Sequence, residues 1–103
     1  MYSMKIMFDM DGVLCEERST FERSLAEPIQ KNIDGLNILK ERGHFITIYT
    51  SRGWQEYGTT KKWLDDHNVK YDLLLMAKPI YDIFIDDRAR TSLEDLFLAV
   101  GDK

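Results

Sequence analysis

Lys5-Ile6-Met7-Phe8-Asp9-Met10-Asp11-Gly12-Val13 is the stretch on which the fold turns. Three consecutive apolar residues of strand length run into two acidic residues spaced by one, then a glycine. Three more such runs follow at Phe45–Tyr49, Leu73-Leu74-Leu75-Met76 and Ile83-Phe84-Ile85. Runs that are apolar at consecutive positions suit strands covered on both faces, as in a parallel sheet. Helical spacing fills the gaps between them. Ile29, Ile33, Leu36 and Leu39 fall on one helix face, with Pro28 at a first-turn position and Gly43 at the stop. Tyr57, Thr60, Leu64 and His67 repeat the pattern, with Asn68 as a left-handed cap. Thr91 and Glu94 read as a capping box opening a last helix through Val100. The alternation predicts α/β: a single Rossmann-like, three-layer domain over residues 1–103, with a short parallel sheet in the order 3-2-1-4. Residues 12–27 have neither period and are the longest irregular segment. Only residues 77–82 join the third and fourth runs, whereas a parallel crossover takes a dozen or more. Either that join runs extended, or the third strand is a short edge piece.

Composition narrows the classes. The chain has 103 residues, 44% hydrophobic and 31% charged, enough for one compact core. Its formal net charge of −4 gives no general basic face for nucleic acid or an anionic membrane. Cys15 is the single cysteine, which closes the disulfide-scaffold class. The opening residues lack the long apolar stretch of a secretory signal, so a cytoplasmic location is expected, with no membrane partner.

In open parallel sheets, ligands bind beyond the carboxyl ends of the strands. Asp9 and Asp11 follow the first run, Thr50, Ser51 and Arg52 the second, Lys78 the third, and Asp86 and Asp87 the fourth. The sheet is expected to bring them to one edge. Two like charges about 4 Å apart repel by roughly 4 kcal/mol at an effective dielectric of ~20. Four carboxylates therefore call for a cation, and oxygen-only ligands favour Mg²⁺ with retained waters and a substrate phosphate. Lys78 and Thr50 add a charge and a hydroxyl donor for phosphoryl oxygens.

The order strand–DxDGV, strand–T, K, strand–DD, from Lys5 to about Arg90, resembles the haloacid dehalogenase superfamily of phosphohydrolases. The resemblance implies a magnesium-dependent phosphomonoester hydrolase with an aspartyl-phosphate intermediate. Asp9 would be the nucleophile and Asp11 the acid and then base. Thr50 and Lys78 would hold the phosphoryl group, with Ser51 and Arg52 as further phosphate or substrate ligands. Asp9, the main-chain carbonyl of Asp11, Asp86 and Asp87 would hold Mg²⁺. An alkoxide leaving group needs a proton donor, and neighbouring carboxylates are expected to raise the pKa of Asp11. Lys78 lies only eight residues before Asp86. That spacing is similar to a small capless subset associated with capsule and surface-polysaccharide biosynthesis, and Arg52 is the fallback for the positive charge. Without a cap, residues 12–27 form a flap at most. The site should be open to a bulky substrate or closed by a neighbouring subunit in a homo-oligomer.

A sugar phosphate is the first expectation for substrate and a nucleotide monophosphate the second. The non-enzymatic alternatives are a degenerate member that binds a phosphorylated partner without turnover and a receiver-like phosphorylation module, which shares the residue types but has the acidic pair first and the acceptor mid-chain. Trp54 and Arg18 are weaker candidates for substrate contact. His44 and His67 read as solvent-facing residues at helix ends, and Cys15 as a structural thiol with no evident basic neighbour.

Overall fold

Strand β1 (Lys5–Phe8) pairs in parallel with β2 (Phe45–Tyr49), and β2 in parallel with β3 (Leu73–Leu75), giving the order β1-β2-β3. The computed structural model describes residues 3–101, so residues 1, 2, 102 and 103 of the expected domain lie outside the described part. The register sets Ile6 beside Ile46, and Phe8 beside Ile48, which in turn neighbours Leu74. These five residues share one face and are buried, while Met7, Phe45 and Leu73 on the other face are exposed.

Between β1 and β2 runs α1 (Gln30–Glu41), whose Ile33, Leu36 and Leu39 are fully buried. Between β2 and β3 runs α2 (Tyr57–Asp66), contributing Thr60, Trp63 and Leu64. Both helices feed one core with the buried strand face. The expected three layers are thus two, because period-two alternation turns every second residue of each apolar run to the uncovered face. Asp72, at the foot of β3, accepts hydrogen bonds from the Ile46 N–H (2.8 Å) and the Lys40 ammonium (2.6 Å). These contacts help hold its register.

The caps follow local chemistry with small shifts from expectation. Pro28 lies outside α1, whose N-cap is Ile29. Asn68 closes α2 at φ 56°, the left-handed conformation that asparagine tolerates. Helix α3 (Leu93–Val100) is capped by Ser92 rather than Thr91, with Ser92 Oγ accepting from the Asp95 N–H, and Glu94 instead pairs with Lys31 at 2.9 Å. It leans on α1, where Leu93 fills the space over Gly35 so closely that a Cβ there would lie 2.8 Å from Leu93 Cδ1.

The fourth strand is absent among the described residues. Ile83, Phe84 and Ile85 are 72–92% exposed and pair with no strand, which leaves the outer edge of β1 open. Residues 77–82 are too few for a helical crossover, and β3 is the short edge piece. Residues 12–27 hold one short 3₁₀ turn, Thr20–Leu25, and bridges tie Cys15 to Asp11 and Pro28. No helix among the described residues is long and apolar enough to cross a membrane.

Candidate active site

Asp9 is the first residue past β1, and its Oδ1 is held twice. The Met10 N–H donates to it at 2.8 Å, and the Lys78 ammonium lies 3.0 Å away. Oδ2 accepts from no described donor. Both side chains are part-exposed, so the pair faces solvent. Lys78 reaches Asp9 because the chain leaving β3 turns sharply. Ala77 takes φ 61°, a left-handed conformation that costs a non-glycine residue energy, and strain of this kind gathers at functional sites. The turn is pinned by Ala77 N–H to the Arg52 carbonyl and Lys78 N–H to the Thr50 carbonyl, both at 2.8 Å.

Asp11 lies deeper and meets a different cation. Arg52 Nη2 donates to its Oδ1 at 2.7 Å and Nε to its Oδ2 at 3.0 Å, a two-pronged ion pair. Burial pushes the carboxyl pKa of Asp11 up, but the hydrogen bonds and charge of Arg52, aided by Arg23, outweigh it and hold the group below its ordinary value. The expected raised pKa is therefore reversed, because the neighbour is a guanidinium and not a second carboxylate.

Arg52 itself departs from expectation. It is 1% exposed, with Nη1 on Thr60 Oγ1 at 3.0 Å, so its donors are committed to the protein rather than to a substrate phosphate. Thr50 is buried, with Oγ1 accepting from the Arg52 N–H at 3.2 Å, and its hydroxyl proton remains available to donate. Ser51 is exposed beside it. Cys15 does have a basic neighbour, Arg52 Nη2 at 3.8 Å from Sγ. Burial and Asp11 dominate even so, pushing the thiol up to about 12 and leaving it unreactive.

Asp86 and Asp87 do not join the group. Asp86 accepts from the Arg88 N–H at 2.7 Å, and Arg88 Nε also lies near both carboxylates. Without a fourth strand beside β1, nothing carries them to the sheet edge. Among the described residues no three His, Cys, Asp or Glu side chains lie close enough to share a metal ion. The donors that suit Mg²⁺ are the Asp9 carboxylate and the Asp11 carbonyl, and that carbonyl accepts no hydrogen bond from a described donor. Mg²⁺ takes one or two carboxylates and fills its octahedron with water and phosphate, so the donor chemistry suits it.

Three neighbours gave little sequence signal. Thr60 is a buried polar residue in the core-facing stripe of α2, and that misfit is the one clue. Arg23, in the irregular 12–27 segment, donates through Nη1 to both oxygens of Glu56 at 2.7 and 2.6 Å and latches the segment to the start of α2. Its Nε is buried without a partner. Trp63 Nε1 ties the end of the segment down through the Ala26 carbonyl at 3.0 Å. Arg18 pairs with Glu16 at 2.7 Å. Trp54 is 62% exposed and stacks on Tyr57, whereas His44 is buried, accepting from the Met4 N–H.

No protein-family model matches the chain, and neither does any curated protein. Solved structures do. Chains from the Pnkp1/Rnl/Hen1 complex, described as an RNA repair complex, superpose with TM-scores of 0.66 and 0.64 at 20% and 19% identity. They cover 92% and 93% of this chain, which spans only 33% and 31% of theirs, and they speak to the fold alone. A crystal structure of a target protein from Vibrio cholerae superposes with a TM-score of 0.73 at 30% identity, covering 84% of this chain and 82% of that one. With that identity over most of both chains, this chain belongs to the same protein family as the Vibrio cholerae protein.

Proposed function

We propose that the chain is a magnesium-dependent phosphomonoester hydrolase of the haloacid dehalogenase type, acting on a sugar phosphate or related small phosphoester. The observation that carries the reading is the solvent-facing Asp9, whose Oδ1 is fixed by Lys78 and the Met10 N–H while Oδ2 is left without a partner. A carboxylate held by one oxygen and open at the other suits a nucleophile. The Thr50 hydroxyl and the Lys78 ammonium are the donors for the phosphoryl oxygens.

Asp9 Oδ2 attacks phosphorus, the ester P–O bond breaks, and the leaving oxygen takes a proton from Asp11. Water then attacks the aspartyl-phosphate, its proton passes to Asp11, and the bond from phosphorus to Asp9 breaks to release inorganic phosphate. Both steps need Asp11 to exchange a proton although Arg52 favours its ionised form. Mg²⁺, held by Asp9, the Asp11 carbonyl and Asp86 with help from Asp87, would offset charge building on the phosphoryl oxygens.

The test is phosphate release from a panel of sugar phosphates, nucleotides and simple phosphomonoesters. Release should appear with Mg²⁺, vanish with a chelator, and fall by at least about 100-fold in Lys78→Ala. Metal-independent release would overturn the reading. No release from any member with Mg²⁺ and folded protein would favour the receiver-like or phosphate-binding role. A nucleotide is the second substrate choice, favoured by the exposed Trp54 ring beside Tyr57, which offers a base a face to stack on.

The metal set requires Asp86 near Asp9, and so a fourth strand along the open edge of β1, in the Rossmann-like order 3-2-1-4. With residues 77 and 78 pinned beside β2, the slot lies two strand spacings away, a diagonal of about 14 Å including the return along the strand. Five extended steps from Lys78 to Ile83 reach about 17 Å, so residues 79–82 suffice if they cross the uncovered face directly. Pairing there would also take from water those side chains of residues 83–85 that turn to the helix-covered face, about 1.5–3 kcal/mol for each one fully buried. Amide hydrogen exchange at residues 83–85 should slow by at least about tenfold when Mg²⁺ and an unreactive phosphate analogue are added. Unchanged exchange would refute the added strand.

A further inference from the structure

The two carboxylates of the Asp9-Met10-Asp11 motif are restrained in opposite ways. Asp9 meets a part-exposed lysine, a point charge on a flexible stem, at one oxygen. Asp11 meets a fully buried arginine at both oxygens. That guanidinium is fixed by Asp11, by Thr60 of α2 and by its own backbone, whose N–H donates to Thr50 and whose carbonyl accepts from Ala77. Its planar fork therefore transmits one orientation to the carboxylate.

We propose that Arg52 is a positioning residue that aims the Asp11 carboxyl at the oxygen leaving phosphorus. The inference rests on the phosphatase reading given above. Burying an ion pair seldom adds stability over well-packed apolar side chains, so stability alone is a weak reason to keep one beside the nucleophile. Aim is a stronger one. A proton donor must lie within hydrogen-bond reach of its target, and a misplacement of about 1 Å costs on the order of 100-fold in rate. With its N–H groups spent on Asp11, Thr60 and Cys15, Arg52 acts through Asp11 and leaves phosphate binding to Lys78 and Thr50.

Arg52→Lys keeps the charge but loses the fork, and Thr60→Val removes the second anchor at nearly constant volume. Each is assayed at saturating Mg²⁺ on an alkyl phosphate and on p-nitrophenyl phosphate, whose leaving group departs without a proton. For Arg52→Lys the alkyl ester should lose about 100-fold in kcat, with KM within about threefold, and the aryl ester about tenfold less. Thr60→Val should show the same pattern at about fivefold, and it carries the test if Arg52→Lys does not fold. In NMR spectra the Arg52 Nε–H resonance should be protected from solvent exchange in the wild type and lose that protection in Asp11→Asn. Equal losses on both esters would overturn the inference in favour of a scaffold role, and a raised KM at unchanged kcat in favour of substrate binding. An unprotected Arg52 Nε–H in the wild type would also overturn it. If the wild type cleaves neither ester, or Asp9→Asn keeps full activity, the phosphatase reading fails and this inference falls with it.

Discussion

Asp9→Asn should lower kcat by at least about 10⁴-fold while the protein stays folded. The amide is isosteric with the carboxylate and its oxygen still accepts from the Met10 N–H, so the loop keeps its shape. What is lost is the negative charge that makes the oxygen nucleophilic and pairs with Lys78. Because that ion pair is part-exposed, it contributes about 1 kcal/mol or less to stability. The melting temperature should therefore move little while turnover collapses. Rapid acid quench with substrate labelled on phosphorus adds a direct readout, with protein-bound label in the wild type and none in the variant. A variant that keeps more than a tenth of wild-type kcat would eliminate the covalent route. Loss of activity with unchanged labelling would move the nucleophile elsewhere.

Leu36→Ala should have the largest effect on the scaffold. Leu36 is completely buried on the core-facing stripe of α1, between Ile33 and Leu39, in the cluster that includes Ile6, Ile46 and Ile48. Truncating a buried leucine costs about 2–5 kcal/mol through lost transfer energy plus the cavity left behind. For a domain of this size each kcal/mol lowers the melting temperature by about 4–8 °C, so a drop of about 8 °C or more is expected. Ile38 of the same helix is 42% exposed, and Ile38→Ala should cost under about 1 kcal/mol. Thermal denaturation of the pair checks which stripe faces the sheet. Equal shifts would mean that α1 is rotated from the position described.

Residues Lys5–Phe8, Phe45–Tyr49 and Leu73–Leu75 were readable as strands because each is a short apolar run placed between helical stripes. The stripes of α1 and α2 were equally legible, since burial of Ile33, Leu36, Leu39 and Leu64 follows directly from helical spacing. The approach of Lys78 to Asp9 was legible too. In a parallel sheet, residues just past the strands share one edge whatever their separation in sequence.

Other features depend on which partner a group finds in space, and spacing along the chain says nothing of that. Ile83-Phe84-Ile85 has strand composition but pairs with no strand, since a strand needs a neighbour's backbone as well as suitable side chains. Asp86 and Asp87 stay with Arg88 for the same reason. Arg52 looked like one more cation for phosphate until its burial against Asp11, Thr60 and Cys15 engaged four of its five N–H donors. The pKa of Asp11 reversed with it, because a carboxylate's proton affinity is set by the charge nearest to it. The sequence by itself determined a parallel α/β domain with Asp9, Thr50 and Lys78 beyond the ends of its strands, because periodicity and local order are carried by neighbouring residues. Only the tertiary structure decided which cation each aspartate meets and which sheet edge stays open, because ion pairs and strand pairing form between groups far apart in the chain.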